Sequence, residues 1–260
     1  MEITWYGTAS ILLVTSGTSL LFDPFLKYLP EGYEPDELCG KREKVFGTAA
    51  NILITHGHLD HLSSVPTLYR NKPCTVFVTD TPAATLTKQG FPETKIHRIT
   101  PGDVLQFPDI SVCVYQGKHI RFDAGLILPK VFRLSSWRQF PRLIHLLKLN
   151  FQHKENNEIV FYEIRAEEKR IQIMGSADLA DGVEYPTGAD ALILPHQGRS
   201  DINSHNEAII KKLKPKRVLL DHYDDAFPPV SELTPVDDFC RRVSMKVPTE
   251  KMLEGKQIRI

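Results

Sequence analysis

Thr55-His56-Gly57-His58-Leu59-Asp60-His61 places three histidines and an aspartate within six consecutive positions. The segment follows Asn51–Thr55, whose Ile52-Leu53-Ile54 centre reads as a buried strand. Side chains alternate in extended backbone, so His56 and His58 point to one side of the chain. Their imidazoles can converge on one ion at about 2.0–2.1 Å. Gly57 between them carries no side chain to obstruct this. Asp60 and His61 then turn toward a neighbouring point, and four such ligands can serve two metals roughly 3.5–4 Å apart. A strand end holds a loop in a rigid, half-open position, where ligands are usually presented. The competing reading is a cluster of surface histidines that binds nothing.

Upstream, Ile3–Tyr6 is short and apolar, and Ile11–Val14 and Leu20–Phe22 flank the hairpin signal Ser16-Gly17-Thr18. Pro24 should stop the second of these strands. Residues 27–48, with Pro30, Gly32, Pro35, Gly40 and Gly47, read as a loop excursion. Downstream, helices are expected at Ser63–Arg70, Thr81–Gln89 and Glu207–Leu213. Strands are expected at Cys74–Thr79, Ile110–Tyr115, Ile159–Arg165, Arg170–Met174, Ala191–Leu194 and Val218–Leu220. Ile258–Ile260 is expected to close the last sheet. Strands outnumber helices, and the helices fall between them, which suits two sheets covered by helices. No Pro/Gly/Ser linker divides the 260 residues, so residues 1–260 read as one domain.

Lys+Arg and Asp+Glu are each 32, which argues against an electrostatic grip on nucleic acid. The four cysteines lie far apart and form no CxxC pair, so they read as reduced thiols of a cytoplasmic protein. The first residues show no basic-then-apolar leader pattern, and no run approaches 18 apolar residues. One stretch departs from the balance. Lys118 to Lys154 holds eight basic residues against the single acid Asp123. Trp137, Phe140, Ile144, Leu147 and Phe151 recur there at helical spacing, with Arg138, Arg142, His145 and Lys148 in the other phase. This reads as a basic helical insertion at about 120–155. It is either docked on the core, a lid over an anionic substrate, or a peripheral membrane contact through residues 130–151.

Thr55–His61 resembles the signature of the metallo-β-lactamase fold superfamily. Trp5-Tyr6-Gly7-Thr8-Ala9-Ser10 and Leu20-Leu21-Phe22-Asp23-Pro24 are similar to the opening of the branch that holds ascorbate-6-phosphate lactonases and the N-acylphosphatidylethanolamine-hydrolysing phospholipase D. The resemblance spans nearly the whole chain apart from the 120–155 stretch. It implies an α+β, four-layer αββα sandwich. It also implies a third histidine after a mid-chain strand, matched by His119, an aspartate bridging two metals, matched by Asp178, and a last histidine near the C-terminus, matched by His222. One site would then be His56, His58 and His119, and the other Asp60, His61 and His222, with Asp178 shared. Two divalent ions are implied, zinc first, with manganese or iron also suited to His/Asp donors. Thr8 is a departure, since related sequences often carry histidine there.

Among rivals for the downstream positions, His153 competes with His119 and Asp181 with Asp178. His196, Gln197, Arg199 and His205 are candidates for the rim of a substrate pocket. Metals of this kind bring the pKa of bound water from 15.7 toward roughly 7. The expected function is therefore a metal-dependent hydrolase, with a metal-bridging hydroxide attacking a small anionic ester, lactone or phosphodiester. Asp60 would orient that nucleophile as the catalytic residue. The alternatives are a membrane-surface phospholipid phosphodiesterase and a non-catalytic metal-binding module. Oligomeric state is left open.

Overall fold

Successive side chains of the N-terminal strands are buried on both faces, which explains why a sheet forms with helices on one face and a second sheet on the other. In β3 (Ser19–Phe22), Leu20 and Phe22 enter one apolar cluster while Leu21 enters another. The computed structural model describes residues 1–27, 37–121, 148–149, 151–154, 156–227 and 231–260. Its first sheet runs from β1 (Glu2–Trp5) through β2 (Ile11–Val14) and β3 to β4 (Asn51–Leu53), β5 (Thr75–Val78) and β6 (Ile96–Arg98). The first three strands pair antiparallel, and β3 to β6 pair parallel.

The second sheet is built from β7 (Val104–Gln106), β8 (Ser111–Lys118), β9 (Val160–Ala166), β10 (Lys169–Met174) and β11 (Asp178–Leu179). It is completed by β12 (Ala191–Pro195), β13 (Val218–Asp221) and β14 (Thr249–Lys251). Its order is β11-β8-β9-β10-β12-β13-β14, with β7 also paired to β8. β10, β12, β13 and β14 are parallel neighbours. The last strand, β15 (Gln257–Arg259), pairs with β1. It closes the first sheet, where the sequence reading placed it on the last. A terminal apolar run carries no mark of its partner strand.

The two sheets share one core. Ile3, Leu13, Leu20 and Phe22 of the first sheet pack with Val112, Tyr162, Ile171 and Leu192 of the second. Burying one such side chain contributes about 1.5–3 kcal/mol. Helices cover the outer faces. α1 (Glu37–Phe46), α2 (Leu59–Leu62), α3 (Val65–Asn71) and α4 (Asp80–Lys88) place Cys39, Phe46, Leu62, Val65, Leu68 and Leu86 against Leu21, Ile52 and Val76 of the first sheet. α5 (Ile202–Leu213) and α6 (Asp237–Val243) bury Ile209, Ile210, Leu213 and Phe239 on the second.

One further expectation changes. α1 occupies part of the supposed loop 27–48, because Cys39, Arg42 and Phe46 recur at helical spacing and are buried. Gly40 and the neighbouring glycine and prolines masked that period. The helix expected at Ser63–Arg70 is α3, with Pro66 in its first turn, and the short α2 precedes it. The expected helical insertion at about 120–155 lies outside the described residues except for 120–121, 148–149 and 151–154. No helix among the described residues is long and apolar enough to cross a membrane.

Candidate metal centre

Six of the seven candidate ligands follow the carboxyl end of a strand, and Asp178 opens β11. Thr55–His61 follows β4, His119 follows β8, and His222 follows β13. Ligand sites of layered sheets usually lie at that edge. The structure gathers two groups of donors: His56, His58 and His119 in one, and Asp60, His61 and His222 in the other. Within each group the donor atoms lie within 4.8 Å of one another. His56 Nε2 and His58 Nδ1 approach to 3.2 Å. Asp60 Oδ2 lies 3.1 Å from His222 Nε2 and 3.6 Å from His61 Nε2. Two donors bonded to one ion at about 2.0–2.1 Å sit no more than roughly 4.2 Å apart, so these three spacings already suit a shared ion.

Backbone and buried polar groups fix the donors. Thr55 donates its hydroxyl to Asp23 Oδ2 at 2.6 Å and so can accept from His56 Nδ1 at 3.0 Å. Asp23 Oδ2 accepts from His61 Nδ1 at 2.9 Å. His119 donates Nδ1–H to the Ile120 carbonyl at 2.7 Å. In all three rings these bonds leave Nε2 as the donor to a metal.

Burial, followed by repulsion from His61, holds His56 well below the usual imidazole range. Burial brings His58 down to about 4 and lowers His119. These three therefore stay neutral, as metal ligands must be. His222 is the exception. Burial lowers it, but its hydrogen bond to Asp60 and the charges of Asp60, Asp224 and Asp221 push it up to about 9. Burial raises Asp60, and this is outweighed by His61 and His222, which hold the carboxyl well below the usual carboxylate range. Asp60 and His222 thus form an ion pair that a cation would replace. The donor set, with neutral imidazoles on one side and a carboxylate on the other, fits divalent metals.

Three non-glycine residues around this edge adopt the left-handed region: Thr8 at φ 51°, Asp23 at φ 44° and His222 at φ 50°. Each costs of order 1–3 kcal/mol and persists only where its surroundings fix it. The Thr8 carbonyl accepts from His222 N–H at 3.0 Å and from Trp5 Nε1–H at 2.7 Å. The Thr8 N–H donates to both Asp224 carboxylate oxygens. Thr8 therefore braces His222 through its backbone. Sequence reasoning assigned no role to Asp23, Thr55 or Asp224. The one signal was Asp23-Pro24 at a strand end.

The other expected site residues lie elsewhere. Asp178 belongs to neither donor group. Its carboxylate accepts from Leu179 N–H and stands 3.9 Å from Lys118 Nζ and 4.0 Å from His205 Nε2. Asp181 is exposed and pairs with Lys118 at 2.9 Å. His205 donates to the Ala177 carbonyl at 2.6 Å. His196 is fully buried, not on a rim. Asn206 Nδ2 donates to its Nδ1, and its Nε2 donates to Asn203 Oδ1, both at 3.0 Å. Arg199 grips Asp201 through two nitrogens, and Gln197 donates to the Glu232 carbonyl. His153, the rival of His119, is buried, with Nδ1–H donating to the Leu149 carbonyl at 2.8 Å.

A helix–sheet–sheet–helix sandwich with histidine-rich donor groups along one strand edge has the architecture of the metallo-β-lactamase fold. The chain superposes with a TM-score of 0.67 on the metallo-β-lactamase fold protein YhfI of Bacillus subtilis, at 11% identity, covering 99% of this chain and 98% of that one. Residues 2–222 match the family model described as beta-lactamase superfamily domain, and the chain belongs to that family. It is 32% identical over 119 residues to a UPF0173 protein of Pyrococcus abyssi (strain GE5 / Orsay), over 46% of this chain and 50% of that one. It is 31% identical over 122 residues to a UPF0173 metal-dependent hydrolase of Anaeromyxobacter dehalogenans (strain 2CP-1 / ATCC BAA-258), over 45% and 42%. The chain spans half or less of the length of these curated relatives.

Proposed function

We propose that the protein is a cytoplasmic, single-domain metal-dependent hydrolase of small anionic esters, lactones or phosphodiesters. One observation carries this reading: two separate, convergent donor groups on one strand edge, His56/His58/His119 and Asp60/His61/His222. Their composition suits zinc before other divalent ions. A relative named as a metal-dependent hydrolase and the opening Trp5–Ser10 and Leu20–Pro24 support it further.

Bound at these positions, two ions would supply Lewis acidity and acidify a water. The rest is the work of this chain. His56, His58 and His119 hold one position with neutral rings. His61 and His222 hold the other, His61 fixed by Asp23. Asp60 carries its charge at neutral pH, so it can accept a hydrogen bond from the attacking water and orient it. Asp178, now near Lys118 and His205, is proposed as the ligand shared between the positions in the loaded protein.

The test is a panel of a phosphodiester, a lactone and a thioester on protein loaded with zinc, manganese or iron, beside Asp60→Ala. Turnover of at least one ester by loaded protein, with loss of about a hundredfold or more in the variant, is the expected result. Inactivity on all three classes with two metals bound would leave a non-catalytic binding module.

A further inference from the structure

α1 carries an arginine on its buried side. Arg42 is 6% exposed, and a charged side chain is rarely so enclosed unless it is paired. Its Nε donates to Glu254 Oε1 at 2.8 Å, in the turn between β14 and β15. Its Nη1 donates to the Phe25 carbonyl at 3.3 Å and to the Leu26 carbonyl at 3.0 Å. Nη2 lies against Gly7, where a Cβ would collide with it and stand 3.2 Å from Asp224 Oδ2.

One guanidinium therefore meets the two segments that fix the Asp60/His61/His222 donor group. The Phe25 and Leu26 carbonyls follow Asp23, whose carboxylate accepts the His61 Nδ1–H. Other sides of the same turn are held too. Ser10 Oγ donates to the Asp23 carbonyl at 3.0 Å and accepts from Phe25 N–H at 2.9 Å, and Ser64 Oγ accepts from Leu26 N–H at 2.9 Å. Gly7 in turn precedes Thr8, whose carbonyl accepts from His222 N–H and whose N–H donates to Asp224. The first donor group is reached less directly. His56 is linked to Asp23 through the Thr55 hydroxyl, and His119 is held by the Ile120 carbonyl.

We propose that Arg42 is a positioning residue for the Asp60/His61/His222 donor group, setting the two braces, Asp23 and Thr8, that hold His61 and His222. A guanidinium suits the task because its planar fork aims five donors in fixed directions. It spans Glu254, two carbonyls and the Gly7 backbone at once, whereas a lysine ammonium is a point charge on a flexible stem. Without it, buried carbonyls lose a donor, which favours a different course for the turn after Asp23. The assignment rests on the metal reading of the donor groups and does not depend on turnover.

Calorimetric zinc titration of the full chain tests it with Arg42→Lys placed in two backgrounds. His119→Ala leaves the Asp60/His61/His222 position, and His222→Ala leaves the other. Arg42→Lys should weaken zinc about tenfold in the first background and leave the affinity in the second nearly unchanged. Equal weakening in both, or lower stability in urea with both affinities kept, overturns the proposal and leaves Arg42 as an anchor of α1. If Arg42→Lys prevents folding, Glu254→Gln frees the guanidinium from one partner at a half-exposed position. It should give a smaller loss in the first background alone, and no loss there overturns the proposal equally. Imidazole nitrogen spectra of the metal-free chain read the same bracing without any metal. Arg42→Lys should shift the His61 and His222 resonances and spare those of His119, and unmoved His61 and His222 resonances overturn it. Those shifts in a chain that binds no zinc would sink the metal reading and leave the bracing in place. Selective zinc loss in a protein inactive on every ester would sink the hydrolase reading alone.

Discussion

The Asp23 carboxylate accepts the His61 Nδ1–H at 2.9 Å and also receives the Thr55 N–H and hydroxyl. The bond joins the end of β3 to the loop after β4, neighbouring parallel strands whose carboxyl ends lie side by side. Asp23 reaches it by adopting φ 44°, and so trades backbone strain for three charge-assisted hydrogen bonds.

Asp23 should therefore matter for metal affinity although it belongs to neither donor group. Partners of this kind typically account for 10–100-fold in metal affinity. Asp23→Asn, which keeps the shape and loses the charge, is expected to weaken zinc binding by about that factor while the far-ultraviolet circular dichroism stays native. Unchanged zinc affinity in calorimetry would remove Asp23 from the centre.

The two donor groups should load separately. His119→Ala is expected to lower the bound metal by one ion per chain and spare the Asp60/His61/His222 position, and His222→Ala the converse. Elemental analysis of metal-replete protein reads both. Asp178→Ala discriminates further: with Asp178 as shared ligand, both positions weaken, whereas a residue that only pairs with Lys118 would leave both intact.

The strands that carry the centre were legible because their apolar runs are unbroken and are followed at once by ligand-type residues. Ile52-Leu53-Ile54 before His56 and Val218-Leu219-Leu220 before His222 are examples. α1 was not, because Gly40 interrupts a helix whose evidence is three buried residues, one of them the arginine Arg42. His196 misled for a related reason. A histidine after a strand reads as a site residue, yet its partners Asn203 and Asn206 come from α5, and nothing local marks them. Thr55, read as the last residue of a strand, is the hydroxyl that links His56 to Asp23. Such links are set by tertiary approach, which spacing does not encode.

Gly175 shows how closely that link is packed. A Cβ built there would lie 1.9 Å from Thr55 Oγ1, so alanine must displace the Thr55 side chain or its backbone. Overpacking of this kind costs about 1–3 kcal/mol. Gly175→Ala is expected to lower stability by that order in denaturant unfolding and also to weaken zinc binding, since Thr55 supports His56 and Asp23. Loss of stability with unchanged zinc affinity would show that the Thr55 hydroxyl does not govern the ligands.

His196 predicts an acid limb of stability. Burial brings its pKa down to about 4, although Asn203 opposes the shift. In the unfolded chain the group titrates near 6.5. Between these values the unfolded state binds the proton and the folded state does not, so stability falls as pH drops through about 6.5 and levels off below about 4. The loss attributable to this residue is roughly 3 kcal/mol. His56, His58, His119 and His153 are lowered by burial too and act in the same direction. The difference between wild type and variant is therefore the informative quantity. His196→Gln keeps a donor and an acceptor for the two asparagines but takes up no proton. It is expected to be less stable than wild type at pH 7.5, with the gap shrinking as the pH is lowered to 4. Parallel stability curves for the two proteins over that range, in urea unfolding of the metal-free chain, would mean that His196 takes up its proton at the same pH in the folded and the unfolded chain.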